Sequence, residues 1–236
     1  SSMDHKRAGD NDTGLNTGGM GTVAPNPYYT EALAEECMKT IFLPTIEAMK
    51  KEGVDYVVYD EVQPNPSIEN VEAALKLYKD NGCEALVAVG GGSPMDCAKG
   101  VMARVCRPTS TVKNLGAFVF QVALPVASLP HLTFDGYFPP KLYAVPTTAG
   151  TGSEVTGVSV LTIHEKKTKS SIAYRIFPAL ALVDAKYLEH APVKVLHNTA
   201  MDALCHLCER YVNSSATDYS RMCAAAGLAV WSRSKA

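Results

Sequence analysis

The period of the hydrophobic pattern changes repeatedly along the middle of the chain, and each change marks an expected element. Five short apolar runs have the composition of β-strands: residues 54–59, 85–89, 142–145, 158–163 and 179–183. Between strands the apolar positions recur at helical spacing, first on the stripe of Val71, Ala74, Leu75 and Tyr78, then over residues 94–104. This alternation predicts an α/β domain with a parallel, doubly wound, Rossmann-like sheet.

The chain before the first run has a different character. Residues 1–29 are rich in Gly, Asp, Asn and Pro without periodicity, which is typical of a loop. A helix is predicted over residues 30–52, with Thr30 as its N-cap and Gly53 as its stop. Pro44 is expected to bend this helix or divide it in two.

After residue 191 the helical period returns. Two helices are predicted, over residues 195–212 and 217–231, whereas residues 107–140 combine an apolar stretch with several prolines and are expected to be irregular. The expected divisions are residues 1–52 (loop, then helix), 53–191 (dinucleotide-binding α/β domain) and 192–236 (the beginning of an all-α domain).

Composition narrows the class of protein. The 236 residues are 47% hydrophobic and 19% charged, which is enough for one sizeable core. A net charge of −2 gives no general attraction for nucleic acid or an anionic membrane, and the longest apolar stretch, residues 116–129, is too short to span a bilayer. Seven cysteines without framework spacing suit reduced thiols. We therefore expect no disulfides, no targeting segment and a cytoplasmic location.

The most informative stretch is Gly-Gly-Gly-Ser-Pro-Met-Asp-Cys-Ala-Lys at residues 90–99, directly after an apolar run. Glycines allow close backbone approach, Ser93 can cap the helix, and the free N–H groups of a first helical turn can hold a phosphate. A tight turn without a ligand is the alternative. Later, Thr147, Thr148, Thr151 and Ser153 supply hydroxyls suited to a ribose or phosphates, or to a plain polar turn.

Asp202 and His206 lie four residues apart in a predicted helix, so both can grip a divalent cation from one face. Capping or a surface pair explains most isolated patterns of this kind. Cys205 and Cys208 bracket His206, but without a second cysteine pair they are better interpreted as small buried side chains than as a zinc or redox site.

Together these motifs resemble the iron-containing (group III) alcohol dehydrogenase family. The glycine turn, the string Pro-Thr-Thr-Ala-Gly-Thr-Gly-Ser-Glu and the string Met-Asp-Ala-Leu-x-His occur in the family's order, and the resemblance covers about residues 53–236. It implies a dehydroquinate synthase-like fold and NAD or NADP as cofactor. The residues it implies for cofactor contact are Asn65, Gly91, Gly92, Ser93, Asp96, Thr147, Thr148, Thr151 and Lys169, with Asp96 organising the turn or the ribose.

The resemblance also implies that Asp202 and His206 are two of four ligands to Fe²⁺, with Zn²⁺ possible. In the family the metal polarises the alcohol oxygen and hydride passes to the nicotinamide. The other two ligands are histidines on later helices and have no counterpart before Ala236. His197 is a conceivable accidental third ligand, although a surface histidine is the better interpretation. We therefore expect an incomplete metal site and weak or absent turnover.

The N-terminal residues resemble a different family. Asp-His-Lys-Arg at 4–7, Gly-Leu-Asn-Thr-Gly-Gly-Met-Gly at 14–21 and Pro-Asn-Pro-Tyr-Tyr at 25–29 are similar to phosphoribosylamine–glycine ligase, an ATP-grasp enzyme. The chain is thus interpreted as a chimera, of natural or artificial origin. Because this segment replaces the family's first strand, we expect an open sheet edge that favours homo-oligomers or poor solubility.

Four hypotheses follow. The first is a metal-assisted oxidoreductase that exchanges hydride between NAD(P) and a small primary alcohol or aldehyde, impaired in this chain. The second is a non-catalytic nucleotide-binding fragment. The third takes the purine-biosynthesis ligase as the function, and fails on the short extent of that segment. The fourth is a relative of glycerol dehydrogenase or dehydroquinate synthase, which the second and third motifs disfavour.

Overall fold

The computed structural model describes residues 3–9, 13–23, 43–107, 139–166, 168–173, 176–189 and 191–233, with residues 32, 35, 36, 38 and 39. The strands are β1 (Met3–Gly9), β2 (Thr13–Val23), β3 (Ala85–Gly90), β4 (Lys141–Pro146), β5 (Val158–Ile163), β6 (Thr168–Ala173) and β7 (Leu180–Ala181). The longer helices are α1 (Leu43–Lys51), α2 (Ile68–Asp80), α3 (Gly92–Cys106), α4 (Val193–Val212) and α5 (Asp218–Arg233).

The central sheet is parallel, in the order β3–β4–β7. Helix α3 packs on this sheet, and α2 packs on α3 and on β5. The inward side chains of the two helices, among them Val71, Met95 and Met102, form one core with Leu142 of β4. Each side chain of this size stabilises the fold by about 1.5–3 kcal/mol when fully buried. The predicted order, an α/β part followed by helices, is confirmed, although β7 is shorter than the predicted run at residues 179–183.

Helix α1 ends just before a glycine in a left-handed conformation. After α1, Val54 N–H donates to the Met49 carbonyl (2.9 Å) and Gly53, at φ +67°, donates to Lys50 (3.1 Å). These two bonds are a Schellman motif, so the predicted stop at Gly53 is confirmed. Pro44 lies in the first turn of α1, where its missing N–H costs nothing. The predicted N-cap Thr30 lies outside the described residues.

Residues 54–59 are not a strand, so that prediction is wrong. No described strand pairs with them, and Val58 is 57% exposed. Branched apolar residues favour a strand only where a neighbouring edge accepts their backbone hydrogen bonds. The segment instead leads to Tyr59 and Val62, which pack against the core.

The loop predicted for residues 1–29 is wrong over residues 3–9 and 13–23, where β1 and β2 form an antiparallel hairpin. Its register shifts between His5 and Arg7 and again between Arg7 and Gly9. Backbone pairing does not require an alternating apolar pattern, so a polar, glycine-rich hairpin leaves little trace in the hydrophobic periodicity.

The run at residues 158–163 is β5 as predicted, but it lies outside the parallel sheet. It pairs antiparallel with β6, which sequence reasoning missed because five of its six residues are polar or small and Ile172 alone is long and apolar. A bridge from Ser67 to Thr162 joins this hairpin to the start of α2.

Helices α4 and α5 match the predicted segments and pack against each other, with Gly227 close to Leu207. The Trp231 indole also donates to the Ala200 carbonyl (3.1 Å). Of the helices that the structure describes, none has the length and apolar character needed to cross a membrane. Most of residues 107–140, predicted to be irregular, lies outside the described ranges.

Candidate nucleotide site

The turn between β3 and α3 leaves the helix N-terminus open. Gly90 has φ +141°, and Gly91 is the N-cap residue, which has no side chain to offer. Ser93 does not cap the helix, contrary to the prediction: its Oγ accepts a bond from Asn65 N–H (3.1 Å) because it lies inside the first turn. The N-terminus of α3 therefore has no side-chain cap, which is what an anion site at a helix N-terminus requires.

Asn65 forms hydrogen bonds with two other predicted cofactor-contacting residues, Ser93 and Lys169. It has φ +53°, a left-handed conformation that asparagine adopts more readily than most residues. Its Oδ1 accepts from Lys169 Nζ (3.0 Å), and its carbonyl accepts from Thr162 Oγ1 (2.9 Å). Residues far apart in sequence are thus brought together by the β5–β6 hairpin.

The Asp96 carboxylate is held by Ser153, which precedes β5, and by Val160 within β5. One oxygen accepts from Ser153 Oγ (2.8 Å) and the other from Val160 N–H (3.1 Å). Burial raises the pKa of Asp96 above its usual value, and the two hydrogen bonds and the nearby Lys99 charge oppose that shift. This carboxylate therefore fastens α3 to the 153–160 segment.

Lys99 is the residue that sequence reasoning missed. Its side chain is fully buried, and Nζ lies within hydrogen-bond distance of four oxygens: Ser153 O (2.6 Å), Ser153 Oγ (2.8 Å), Val158 O (2.9 Å) and Thr156 Oγ1 (3.1 Å). Burial lowers the pKa of Lys99 to about 8, against the attraction of Asp96 and Glu154. One sequence feature could have revealed it. Lys99 lies on the same helical stripe as Met95 and Met102, and a charged residue on an apolar stripe indicates a buried cation with specific partners.

The threonine loop packs directly on the glycine turn. Thr147 N–H donates to the Gly90 carbonyl (2.9 Å). A Cβ added to Gly91 would lie 3.2 Å from Thr148 Oγ1, and one added to Gly92 would lie 3.2 Å from Thr151 Cγ2. The two motifs therefore form one surface in which side chains at these glycines have little room.

This surface borders a cavity of about 450 Å³, within the size range of small-molecule sites. Its walls combine backbone, hydroxyl, carboxylate and aliphatic groups with one imidazole: Asn65, Pro66, Gly92, Ser93, Asp96, Thr151, Ser153, Thr156, Val158, Val160 and His206. Five of the nine predicted cofactor-contacting residues lie in this lining. Lys169 reaches it through Asn65, whereas Gly91, Thr147 and Thr148 lie in the adjoining turn and loop.

Helix α4 brings His206 to the cavity because the threonine loop approaches its backbone closely. A Cβ on Gly150 would overlap the carbonyl oxygen of Thr199. Thr199 Oγ1 in turn donates to the carbonyls of Val195 (2.9 Å) and Leu196 (3.2 Å). The absence of a side chain at Gly150 thus sets how near α4 can lie.

Asp202 and His206 share one face of α4, with Oδ1 and Nε2 4.0 Å apart. A carboxylate and an imidazole suit Fe²⁺ or Zn²⁺, and two ligands on one such ion lie roughly 3–4 Å apart given bonds of about 2.0–2.2 Å. The pair therefore fits two positions of a coordination sphere. Within the described ranges no group of three or more His, Cys, Asp or Glu residues is arranged to hold a metal, and His197 is exposed.

We expect Lys99→Met to remove a pH dependence of stability between about pH 8 and pH 10.5. In this window the unfolded chain still holds the ammonium proton, at a pKa of 10.5, whereas the folded chain has lost it. The Lys99 contribution to the free energy of unfolding therefore rises with pH. Urea unfolding of the wild type and the variant between about pH 8 and pH 10.5 tests this prediction. Other titratable groups, such as Asp96 and Glu154, are present in both proteins, so the difference between the two pH profiles reports on Lys99. A difference that does not change with pH would contradict it.

Two family models match the chain. The model of iron-containing alcohol dehydrogenase matches residues 34–185, well over half of the chain. The model of the phosphoribosylglycinamide synthetase ATP-grasp (A) domain matches residues 1–62, so the two overlap at residues 34–62. Both resemblances inferred from the motifs are confirmed.

Individual known proteins support the match to the iron-containing alcohol dehydrogenase model. The mitochondrial hydroxyacid-oxoacid transhydrogenase of Rattus norvegicus is 38% identical over 168 residues, which are 70% of this chain and 34% of that protein. An iron-containing alcohol dehydrogenase from Thermotoga maritima has a TM-score of 0.69 at 29% identity, covering 83% of this chain and 50% of its own. The sulfoacetaldehyde reductase of Bifidobacterium kashiwanohense, solved with NAD⁺, has a TM-score of 0.64 at 30% identity, covering 78% and 46%. This chain thus spans about a third to a half of their lengths.

Proposed function

Because this chain belongs to the iron-containing alcohol dehydrogenase family, we propose that it binds NAD or NADP in the cavity at the N-terminus of α3 and takes part in hydride transfer to or from a small primary alcohol or aldehyde. Members of the family use NAD(P) and a metal ion. The dehydroquinate synthase-like fold agrees with this assignment. The chain covers a third to a half of the length of these relatives. The activity of the full-length proteins is therefore proposed for this chain.

One observation carries the proposal: three segments distant in sequence meet at a single cavity, and His206 joins them from α4. The segments are the Asn65 loop, the glycine turn and residues 147–156. The open helix N-terminus suits a pyrophosphate, and the surrounding hydroxyls suit a ribose. Asp96, with both oxygens already hydrogen-bonded, is better placed to organise the wall than to act as an acid or base.

In the proposed site Asp202 and His206 would hold the metal ion at two of its coordination positions. A bound ion would supply Lewis acidity to the alcohol oxygen, and a bound nicotinamide would supply the hydride acceptor or donor. The protein's own contribution is orientation: the glycine turn and Asn65 fix the nucleotide, and Val158 and Val160 give part of the wall an apolar character. The cytoplasmic location and the homo-oligomer stay predictions.

The test is a fluorescence titration of the purified chain with NADH and NADPH, followed by assays of a small primary alcohol with and without Fe²⁺ or Zn²⁺. We expect saturable nucleotide binding. Any hydride transfer should be weak, because Asp202 and His206 supply two metal ligands, and it should require the metal and be lost in His206→Ala. His197→Ala, on the same helix, is the matched control and should change neither. Nucleotide binding without hydride transfer would favour a purely nucleotide-binding role and would contradict the dehydrogenase part of the proposal. A folded sample without binding would overturn the proposal.

A further inference from the structure

The buried ammonium of Lys99 lies directly behind the cavity wall. Three of its four oxygen neighbours belong to Ser153 or Thr156, which line the cavity, and the fourth is the carbonyl of Val158, which also lines it. Lys99 itself is not in the lining, and its side chain is 0% exposed. It therefore contacts the wall from the protein side and cannot contact a ligand in the cavity.

Ser153 couples this cation to the Asp96 carboxylate. Its hydroxyl accepts from Lys99 Nζ (2.8 Å), which directs its own proton to Asp96 Oδ1 (2.8 Å). Asp96 Oδ2 and its carbonyl then accept from Val160 N–H and Ser159 Oγ (2.7 Å). Asp96 and Lys99 are three residues apart on α3, so one helical face holds the whole 153–160 segment through a connected polar network.

A lysine at position 99 is not explained by its contribution to the stability of the fold. Its neighbours on the same stripe, Met95 and Met102, are apolar and fully buried, and removing an ammonium from water carries a large desolvation cost. Buried charges can often be replaced by apolar residues of similar volume without loss of stability. What a methionine would not supply is the set of bonds that fixes Ser153, Thr156 and Val158.

We propose that Lys99 is a positioning residue for the nucleotide: it holds residues 153–158 against α3, so that Ser153, Asp96 and Thr156 keep their places in the cavity wall. The proposal rests on the proposed function, because it assigns the cavity to NAD(P). It adds to that function a residue behind the wall, which acts through Ser153 on the nucleotide and makes no contact with it.

The test compares Lys99→Met with Arg104→Met. Arg104 is the matched control, since it is a cation on the same helix, and its Nε bonds Glu72 Oε1 of α2 (2.9 Å), away from the cavity lining. We expect Lys99→Met to raise the dissociation constant for NADH about tenfold while the protein stays folded. Arg104→Met should lower the urea midpoint and leave the dissociation constant within about twofold.

Lys99→Gln provides a second route if the methionine variant does not fold. Its amide keeps two N–H donors, so partial recovery of the affinity is expected. A folded Lys99→Met or Lys99→Gln protein that binds NADH as the wild type does would overturn the positioning role and leave the proposed function intact. Loss of binding in the wild-type chain would instead overturn the proposed function, so the two failures are distinguishable.

Discussion

Replacing Gly92 with valine is expected to raise the dissociation constant for NADH about a hundredfold, since forcing a side chain into occupied space costs about 1–3 kcal/mol and each 1.4 kcal/mol is a factor of ten. Gly92 is the first residue of α3 and lines the cavity, and even a Cβ there would lie 3.2 Å from Thr151 Cγ2. Valine adds two methyl groups, which must push Thr151 away or project towards the ligand. Nicotinamide fluorescence on titration with NADH measures the effect.

Gly53→Val is the matched control for this substitution. Gly53 has φ +67°, lies outside the cavity lining, and has no atom within 4 Å of an added Cβ. Valine there should lower stability by about 1–2 kcal/mol because the left-handed backbone is strained, yet leave the affinity for NADH unchanged. If folded Gly92→Val protein binds NADH with wild-type affinity, the nucleotide does not lie at the glycine turn.

The parts of the site that could be predicted from sequence are those set by local chemistry. The glycine turn follows an apolar strand and opens a helix, and each step depends on residues within about ten positions of it. Asp202 and His206 share a helix face because their spacing is close to one turn. Five of the predicted cofactor-contacting residues then line one cavity, although their contact with a nucleotide stays a prediction.

What could not be predicted depends on contacts between distant residues. Ser93 seemed a cap by position, but the helix begins one residue before it and its hydroxyl bonds Asn65 from another loop. Residues 54–59 have strand composition and lack a described partner, whereas the polar strand β6 has one in β5. The contacts of Lys99 could not be predicted, because they depend on residues 153–158 packing against α3. No local sequence pattern indicates that packing.

Gly150→Ala is expected to loosen helix α4 and withdraw His206 from the cavity. The added Cβ would overlap the Thr199 carbonyl, which belongs to the helix backbone and cannot rotate away as a side chain can, so the loop or the whole helix must shift. Such overpacking costs about 1–3 kcal/mol. We expect faster amide hydrogen exchange throughout α4 (Val193–Val212) and loss of any metal-dependent hydride transfer, while NADH binding at the glycine turn changes less.

Gly152→Ala separates this effect from simple backbone strain in the same loop. Gly152 has φ +64° but open space around an added Cβ, so alanine there should cost about 1 kcal/mol through conformation alone. Both variants should lower the urea midpoint, but Gly150→Ala alone should speed exchange in α4. Equal exchange in the two would show that contact with Thr199 does not hold α4 in place. Because His206 reaches the cavity from α4, that contact decides whether the metal pair and the nucleotide wall form one site.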